Sequence, residues 1–300
     1  MRRTMFVFFA AAVLAAGVAL AESGKTESPT PKPSASPTPT VLPSLPPERI
    51  SLIEGEKHTY EITWKNIAAG TGTIEVVRRE KGPGGPWYLL HMTAESSKLV
   101  SVFYRMKDLF VSHIDARRGF TRRLERHLRE GKNFREETVI YDYKAGEIRY
   151  TTKKKPTGKV KNLTFPLKGP ILDPLAAVFY VRTLDMKVGD RIRLPVHSNE
   201  EDWVLTLDVV GLVRLRMPGI GKFNAWKVKP RSKEDALFTA KGAMTVWFEK
   251  TTKVILKSEV TIPIGTVVIR MIRAENSPLE RVNRRERRRR WIRPATKEMP

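Results

Sequence analysis

A catalytic centre needs side chains that exchange protons, attack a substrate or hold a metal ion, and the five histidines are the first candidates in this sequence. His58, His91, His113, His127 and His197 fall on separate runs that read as strands, without the H-E-x-x-H or H-x-H spacing that sets two imidazoles on one ion. They read as surface or hydrogen-bonded structural histidines. His113 and Asp115 stand two apart on one strand and share a face, which suits a structural pair better than a catalytic one. No G-x-S-x-G elbow exposes a serine. The absence of cysteine removes a thiol nucleophile, thiolate-bound zinc and disulfides together. Gly219-Ile220-Gly221-Lys222 lacks the full glycine pattern and the following helix of a phosphate loop, so it reads as a hairpin turn. Glu200-Glu201-Asp202 sits in a polar turn where solvation is the default. The expectation is a protein without an enzymatic centre, cofactor or metal; an envelope hydrolase is the remaining alternative.

Binding chemistry is better represented. Arg122, Arg123, Arg126 and Arg129 crowd one predicted hairpin with Arg117, Arg118, Lys132 and Arg135, opposed locally by Glu125 and Glu130. Arg122 and Arg126 share the side of Phe120, Leu124 and Leu128, and Arg123 lies opposite. Such a hairpin serves an anionic ligand, or it is an edge protected by charge against aggregation. The C-terminal run of Arg284, Arg285, Arg287, Arg288, Arg289, Arg290 and Arg293 around Trp291 repels itself and reads as a tail rather than packed structure. Near an anionic lipid surface each basic residue contributes about 1 kcal/mol, and a tryptophan suits the headgroup level. A solvated, solubilising tail is the competing reading. Tyr60, Trp64, Phe103, Trp203, Trp247 and Phe248 stand on apolar strand faces, where they fill a core or line a cavity for an acyl chain. The candidate ligand contacts are Tyr60, Trp64, Phe179, Arg182, Trp203 and Trp247, with Arg182 as a polar anchor at the rim.

Several kinds of segment must position these groups. Met1-Arg2-Arg3, an apolar run from Met5 to Val18 and Ala19-Leu20-Ala21 form the pattern of a secretory signal peptide over residues 1–21. The apolar run falls short of the ~20 residues that span a bilayer, which makes a retained anchor the weaker reading. No later segment approaches that length without charges, so the expectation is an exported, periplasmic or envelope-associated protein with no transmembrane helix in the mature chain. Residues 22–48 are rich in Pro, Ser and Thr and read as a disordered, semi-extended linker. The body over 49–275 alternates apolar and polar residues in run after run, as from Tyr60 through Ile62 to Trp64 and from Trp203 through Leu205 and Leu207 to Val209. Ile67 to Gly72 reads as a turn with small residues, Leu99 to Met106 as a strand, and Lys153 to Gly169 as a linker. One helix interrupts the pattern at about 173–184, where Asp173 caps it, Pro174 opens it and Leu175, Val178, Phe179 and Arg182 form a stripe. Short connections imply antiparallel neighbours. The fold class is all-β, a large antiparallel curled sheet or barrel, possibly in two halves, with one internal helix; a two-sheet sandwich is the second choice. Residues 276–300 form the Arg-rich tail.

Gly55-Glu56, Tyr60, Trp64, Ile67-Ala68-Ala69-Gly70-Thr71, the Asp173-Pro174-Leu175 helix with Tyr180 and Arg182, Gly189-Asp190 and Pro263-Ile264-Gly265 together resemble the bacterial "domain of unknown function 3108" family of exported proteins. The resemblance covers about Ile50 to Ala274 and implies an envelope-located β-rich domain with no established activity. It supplies no catalytic residues. The formal net charge of +23 calls for an anionic environment, and export makes nucleic acid a poor partner. The functional expectation is a non-enzymatic envelope protein that binds a lipid-like or other amphipathic ligand and docks on anionic envelope lipid or polymer through its basic tail. The alternative is an envelope scaffold that bridges anionic polymer or a protein complex.

Overall fold

The computed structural model describes residues 50–82, 84–155, 157–232, 244–262 and 265–282. The expected signal peptide, the Pro-rich linker and the tail residues Arg284, Arg285, Arg287, Arg288, Arg289, Arg290, Trp291 and Arg293 lie outside them. The first eight strands are β1 (Lys57–Trp64), β2 (Ile67–Glu80), β3 (Trp87–Ser96), β4 (Lys107–Asp115), β5 (Thr121–Glu130), β6 (Asn133–Asp142), β7 (Glu147–Lys155) and β8 (Val160–Pro166). The other six are β9 (Arg191–Ser198), β10 (Glu201–Met217), β11 (Gly221–Ser232), β12 (Met244–Glu249), β13 (Ile255–Ile262) and β14 (Gly265–Glu275). A short helix, α1 (Lys98–Ser101), follows β3, and α2 (Pro174–Tyr180) runs into a 3-10 turn over Val181–Thr183.

All fourteen strands belong to one antiparallel sheet in the order β8 to β1 and then β14 to β9. Two meanders are thus joined where β1 pairs with β14, Ile62 opposite Ile269. The sheet curls without closing. Its edges β8 and β9 come close enough for Lys161 Nζ to reach Glu200 at 2.9 Å and for the Phe165 and His197 rings to stand 6.2 Å apart. The raw edge of β9 is covered by Leu172, whose N–H donates to Pro195 O and whose carbonyl accepts from His197 N–H. Because the strands alternate in direction, the connections 64–67, 96–107, 130–133, 155–160 and 198–201 lie at one end of the curled sheet, here called the tip end. The helix segment reaches β9 from the opposite end.

Strand alternation puts His58, Tyr60 and Ile62 of β1 inward, with Leu90 and Met92 of β3, Leu207 and Val209 of β10, and Ile269 and Met271 of β14 in the same core. Leu124, Val139, Tyr141, Ile148, Tyr150 and Ile171 form a second cluster beneath β5 to β7. The helix forms where the sequence places it. Asp173 accepts from the Leu175 and Ala176 amides at 2.8 and 3.0 Å, and Pro174 occupies the first turn.

Four expectations are corrected. Residues 67–72 are strand, and the chain turns instead at Lys65 and Asn66, both in the left-handed region. Gly70 is there for close approach, since a Cβ on it would stand 2.4 Å from Glu95 O of β3. The run 99–106 is not a strand: Ser97 caps α1 by accepting from Val100 N–H, and Phe103 beyond it is 80% exposed rather than interior. The stretch 153–169 is not a linker but the end of β7 and all of β8, with Gly158 at a positive φ between them. The folded body also runs past 275, because Ser277 and Leu279 are buried, Leu279 in the main core.

Candidate functional site

The residues around α2 build two different environments. On one side Pro174, Ala177, Val178 and Val181 repeat at helical spacing and face strands β10, β12, β13 and β14 across a cavity of about 80 Å³. Trp203, Leu205 and Leu207 of β10, Val246 and Phe248 of β12, Tyr60 of β1 and Ile269 of β14 complete its walls. Three lining side chains, Tyr60, Trp203 and Ser258, carry hydrogen-bonding atoms. Tyr60 spends its hydroxyl on Ile255 O at 3.0 Å. Ser258 is 3% exposed, and its Oγ has no hydrogen-bond partner among the described residues. A buried hydroxyl left unpaired costs about 1–3 kcal/mol, so the hollow is apolar with one buried, unmet hydroxyl. Pro174, Val178, Trp203, Leu205 and Met244 are half-buried, which marks the side where the hollow opens, whereas Phe248 and Ile255 are buried.

On the other side of the helix segment lies a charged cluster. Arg182 donates to both Glu56 oxygens, at 2.8 and 3.1 Å, and covers Phe179 with its guanidinium 5.6 Å from the ring centre. His58 Nε2 stands 2.8 Å from Ser277 Oγ and 3.5 Å from Glu56. Burial pushes the His58 pKa down to about 3, with repulsion from Arg182 adding to it, so the imidazole is neutral. Burial raises the Glu56 carboxyl while Arg182 pulls it back down, and burial raises the Tyr60 phenol. The cluster ties the start of β1, the end of the helix segment and the residues after β14 into one joint. At the other end of the helix, Asp173 is buried and accepts from Ser112 at 2.5 Å and Thr121 at 2.7 Å. These groups are satisfied by one another and read as structural.

Of the six proposed ligand contacts, Tyr60 and Trp203 line the cavity. Phe179 packs in the core beneath Arg182, and Arg182 is committed to Glu56. Trp64 stands at the tip end under Lys65, 5.2 Å from its ring centre. Trp247 alternates with the cavity-facing Val246 and Phe248 and lies beside Lys257, 5.0 Å away. The basic hairpin also changes meaning. Arg126 is 4% exposed, its Nε 2.5 Å from Glu137 in an ion pair, with Asn199 Oδ1 at 3.1 Å. It is unavailable to an external surface because β6 sets Glu137 directly opposite it. Arg122 is held by Asp115 and the carbonyls of Gly84 and Gly85 over Trp87. Arg123 pairs with Glu125 at 2.8 Å, and Arg129 lies exposed over Phe134. His113 faces Glu125 at 3.7 Å, while Asp115 instead accepts from Arg122 and the amides of Arg117 and Arg118.

The stripe 174, 177, 178, 181 was hidden from sequence reasoning by the equally regular stripe 175, 178, 179, 182. Ser258 carried no sequence signal, since its lack of a partner is a property of three neighbouring strands. Among the described residues no group of three or more His, Cys, Asp or Glu side chains is placed to hold a metal ion, and no helix is long and apolar enough to cross a membrane.

Fold and site define a class: an all-β protein whose single curled, open sheet holds a helix and an apolar hollow beside it. The chain belongs to the DUF3108 family, described as a protein of unknown function, whose family model matches residues 59–272. No curated protein matches the sequence. A β-barrel-like protein of domain of unknown function DUF1849 from Brucella abortus is similar in structure, with TM-score 0.48, 9% identity, and coverage of 74% of this chain and 98% of that one. A protein from Bacteroides fragilis described as exported, with a YmcC-like fold, has TM-score 0.34 and 10% identity over 74% of this chain and 96% of its own. One from Parabacteroides distasonis described as a lipoprotein has TM-score 0.32 and 8% identity over 76% and 98%.

Proposed function

We propose that this is a non-enzymatic, exported cell-envelope protein that binds a lipid-like or other amphipathic ligand in the hollow beside α2, with its basic tail drawn to anionic envelope surfaces. The observation that supports binding is the half-open apolar cavity with one unpartnered hydroxyl, Ser258 Oγ, inside it. That combination suits an alkyl segment bearing a single polar group. At about 80 Å³ the space is smaller than an engineered cavity of roughly 150 Å³ that takes benzene, so it admits part of a chain and leaves the rest at the mouth. Export rests on the N-terminal sequence pattern.

The test is saturable binding of a dansyl-labelled fatty acid, together with lipid extraction and mass spectrometry of the purified protein. Val178→Trp, at the mouth, should fill the space and weaken probe binding at least tenfold while leaving the circular dichroism spectrum unchanged. Ser258→Ala should weaken the probe a few-fold and raise the melting temperature, because it removes an unpaired buried hydroxyl. Absence of both co-purifying lipid and saturable binding overturns the reading and leaves the scaffold alternative, in which the protein bridges anionic polymer or a complex with its interior unused.

A further inference from the structure

The side chains that the fold leaves uncovered are not scattered evenly. Ten large hydrophobic residues are exposed among those described, and six of them stand in or beside the connections at the tip end: Ile67 at 48%, Leu99 at 61%, Val102 at 77%, Phe103 at 80%, Phe134 at 41% and Val160 at 56%. Of the remaining four, only Val188 lies in a connection at the opposite end.

These six belong to four consecutive tips that are tied together by backbone. Ser97 N–H donates to Ala69 O at 2.9 Å, linking the β1–β2 tip to α1, and Gly131 N–H donates to Arg105 O at 2.8 Å, linking the α1 connection to the β5–β6 tip. Phe134 pairs with Lys155, which brings in the β7–β8 tip. Apolar side chains therefore project from a continuous rim.

The same rim is basic. Lys98, Arg105, Lys132, Lys153, Lys154 and Lys159 have no carboxylate within ion-pair distance among the described residues. Acids present there are largely answered already: Glu95 by Lys107 at 3.8 Å, Glu136 by Lys155 at 2.9 Å, Glu200 by Lys161 at 2.9 Å and Asp202 by His197 at 2.7 Å. Glu130 is partly buried, and burial raises its pKa. Glu201 at the β9–β10 turn is exposed.

We propose that this rim is a membrane-docking edge, and that its partner is an anionic phospholipid bilayer surface. Separate convex tips, each with an apolar side chain between cations, fit a fluid surface that closes around every prong, whereas a folded partner would need a matching hollow for each. Cations would sit at the headgroups and the apolar tips just below them. The cavity supplies a reason for this orientation. Trp203 and Met244, at the mouth, lie at the starts of β10 and β12, which begin at the tip end, so docking would turn the mouth toward lipid. That last step rests on the lipid-like reading of the hollow; the docking itself does not.

The chain has no cysteine, which makes the test clean. Single variants Phe103→Cys, Val160→Cys and Val188→Cys in the full chain are labelled with an environment-sensitive NBD dye and mixed with vesicles of phosphatidylglycerol and phosphatidylcholine, or of phosphatidylcholine alone. Labels at 103 and 160 should shift to the blue on anionic vesicles only, and the label at 188 should not. Lys153→Glu with Lys154→Glu and Lys159→Glu should weaken vesicle affinity at least tenfold even with the arginine tail intact. Val178→Trp should keep full docking, which separates failure of the cavity reading from failure of this one. No shift at 103 and 160, equal shifts at all three positions, or retention on a soluble polyanion without any vesicle-induced shift would each overturn the proposal.

Discussion

Replacing Arg182 with Met leaves the Glu56 carboxylate at 1% exposure without its bidentate partner. Removing one member of a buried pair costs roughly 3–5 kcal/mol, since the other charge stays desolvated. For a body of this size each kcal/mol moves the melting temperature about 2–4 °C, so the expected drop at pH 7.5 is on the order of 10 °C. The pH dependence is the sharper signature. His58 is held from 6.5 down to about 3 in the folded protein. A depressed pKa means the unfolded chain binds more protons over that window, so the stability is present above 6.5 and lost as the pH falls. One pKa unit is about 1.4 kcal/mol, and the wild type should lose about 2 kcal/mol between pH 6.5 and pH 5 through this group. In Arg182→Met the repulsion is gone and an unpaired carboxylate lies 3.5 Å from the ring, so His58 accepts the proton readily. Glu56 acts in the same direction. Its raised pKa makes stability fall as the pH rises above the unfolded carboxylate range, and losing Arg182 widens that window. Thermal and urea unfolding at pH 7.5 and pH 5.0 should show the gap between variant and wild type shrinking by about 2 kcal/mol at the lower pH. A gap under about 1 kcal/mol at pH 7.5, or one that does not shrink, refutes the reasoning about this joint.

Two further perturbations test the polar groups beneath the sheet. Asp108 is pushed up to about 7 by burial, with Oδ1 accepting from Arg129 N–H at 2.9 Å and Oδ2 unpartnered among the described residues. Its raised pKa means stability falls as the pH climbs toward 7. Asp108→Asn, which keeps the acceptor without the charge, should therefore stabilise by about 1–3 kcal/mol at pH 8 and by little at pH 5 in melting experiments. Asp173→Ala removes the helix cap and strands the Ser112 and Thr121 hydroxyls. Its urea midpoint should fall by the equivalent of roughly 2–4 kcal/mol with an unchanged slope, and Asp173→Asn should restore part of the loss.

Local signals carried the architecture well. Alternation through Tyr60, Ile62 and Trp64 or Trp203, Leu205 and Leu207 marks strands because a sheet with one buried face enforces a period of two. Asp173-Pro174 marks the helix because both residues act through the chain next to them. All but one of the failures come from non-local contact. Ile67 to Gly72 resembles a turn in composition, but it is strand, and Gly70 is needed there because β3 leaves no space for a side chain. Leu99 to Met106 has strand-like composition, and the local Ser97 cap decides otherwise. Arg126 looked like surface charge until the β5–β6 register set it opposite Glu137, a pairing that the short turn at 131–132 makes derivable once both strands are placed. Ser258 and the hollow around it depend on how β12, β13 and β14 meet the helix, which no single stretch encodes.

The position of that hollow follows from polar anchoring rather than from poor packing. The chain must travel from β8 at one edge to β9 at the other, and it does so through the interior. Asp173 fixes the start of the helix on Ser112 of β4 and Thr121 of β5, and Arg182 fixes the end of the segment on Glu56 just before β1. Both anchors belong to the N-terminal meander, so the helix leans on that half. Beneath β5 to β7 the aromatic and aliphatic cluster of Leu124, Tyr141, Ile148 and Tyr150 fills the space. On the other side only Ala177, Val178 and Val181 with Pro174 reach toward β10, β12 and β13, and these short side chains leave a gap. Sliding the helix to close it would break a capped carboxylate at one end and a buried bidentate ion pair at the other.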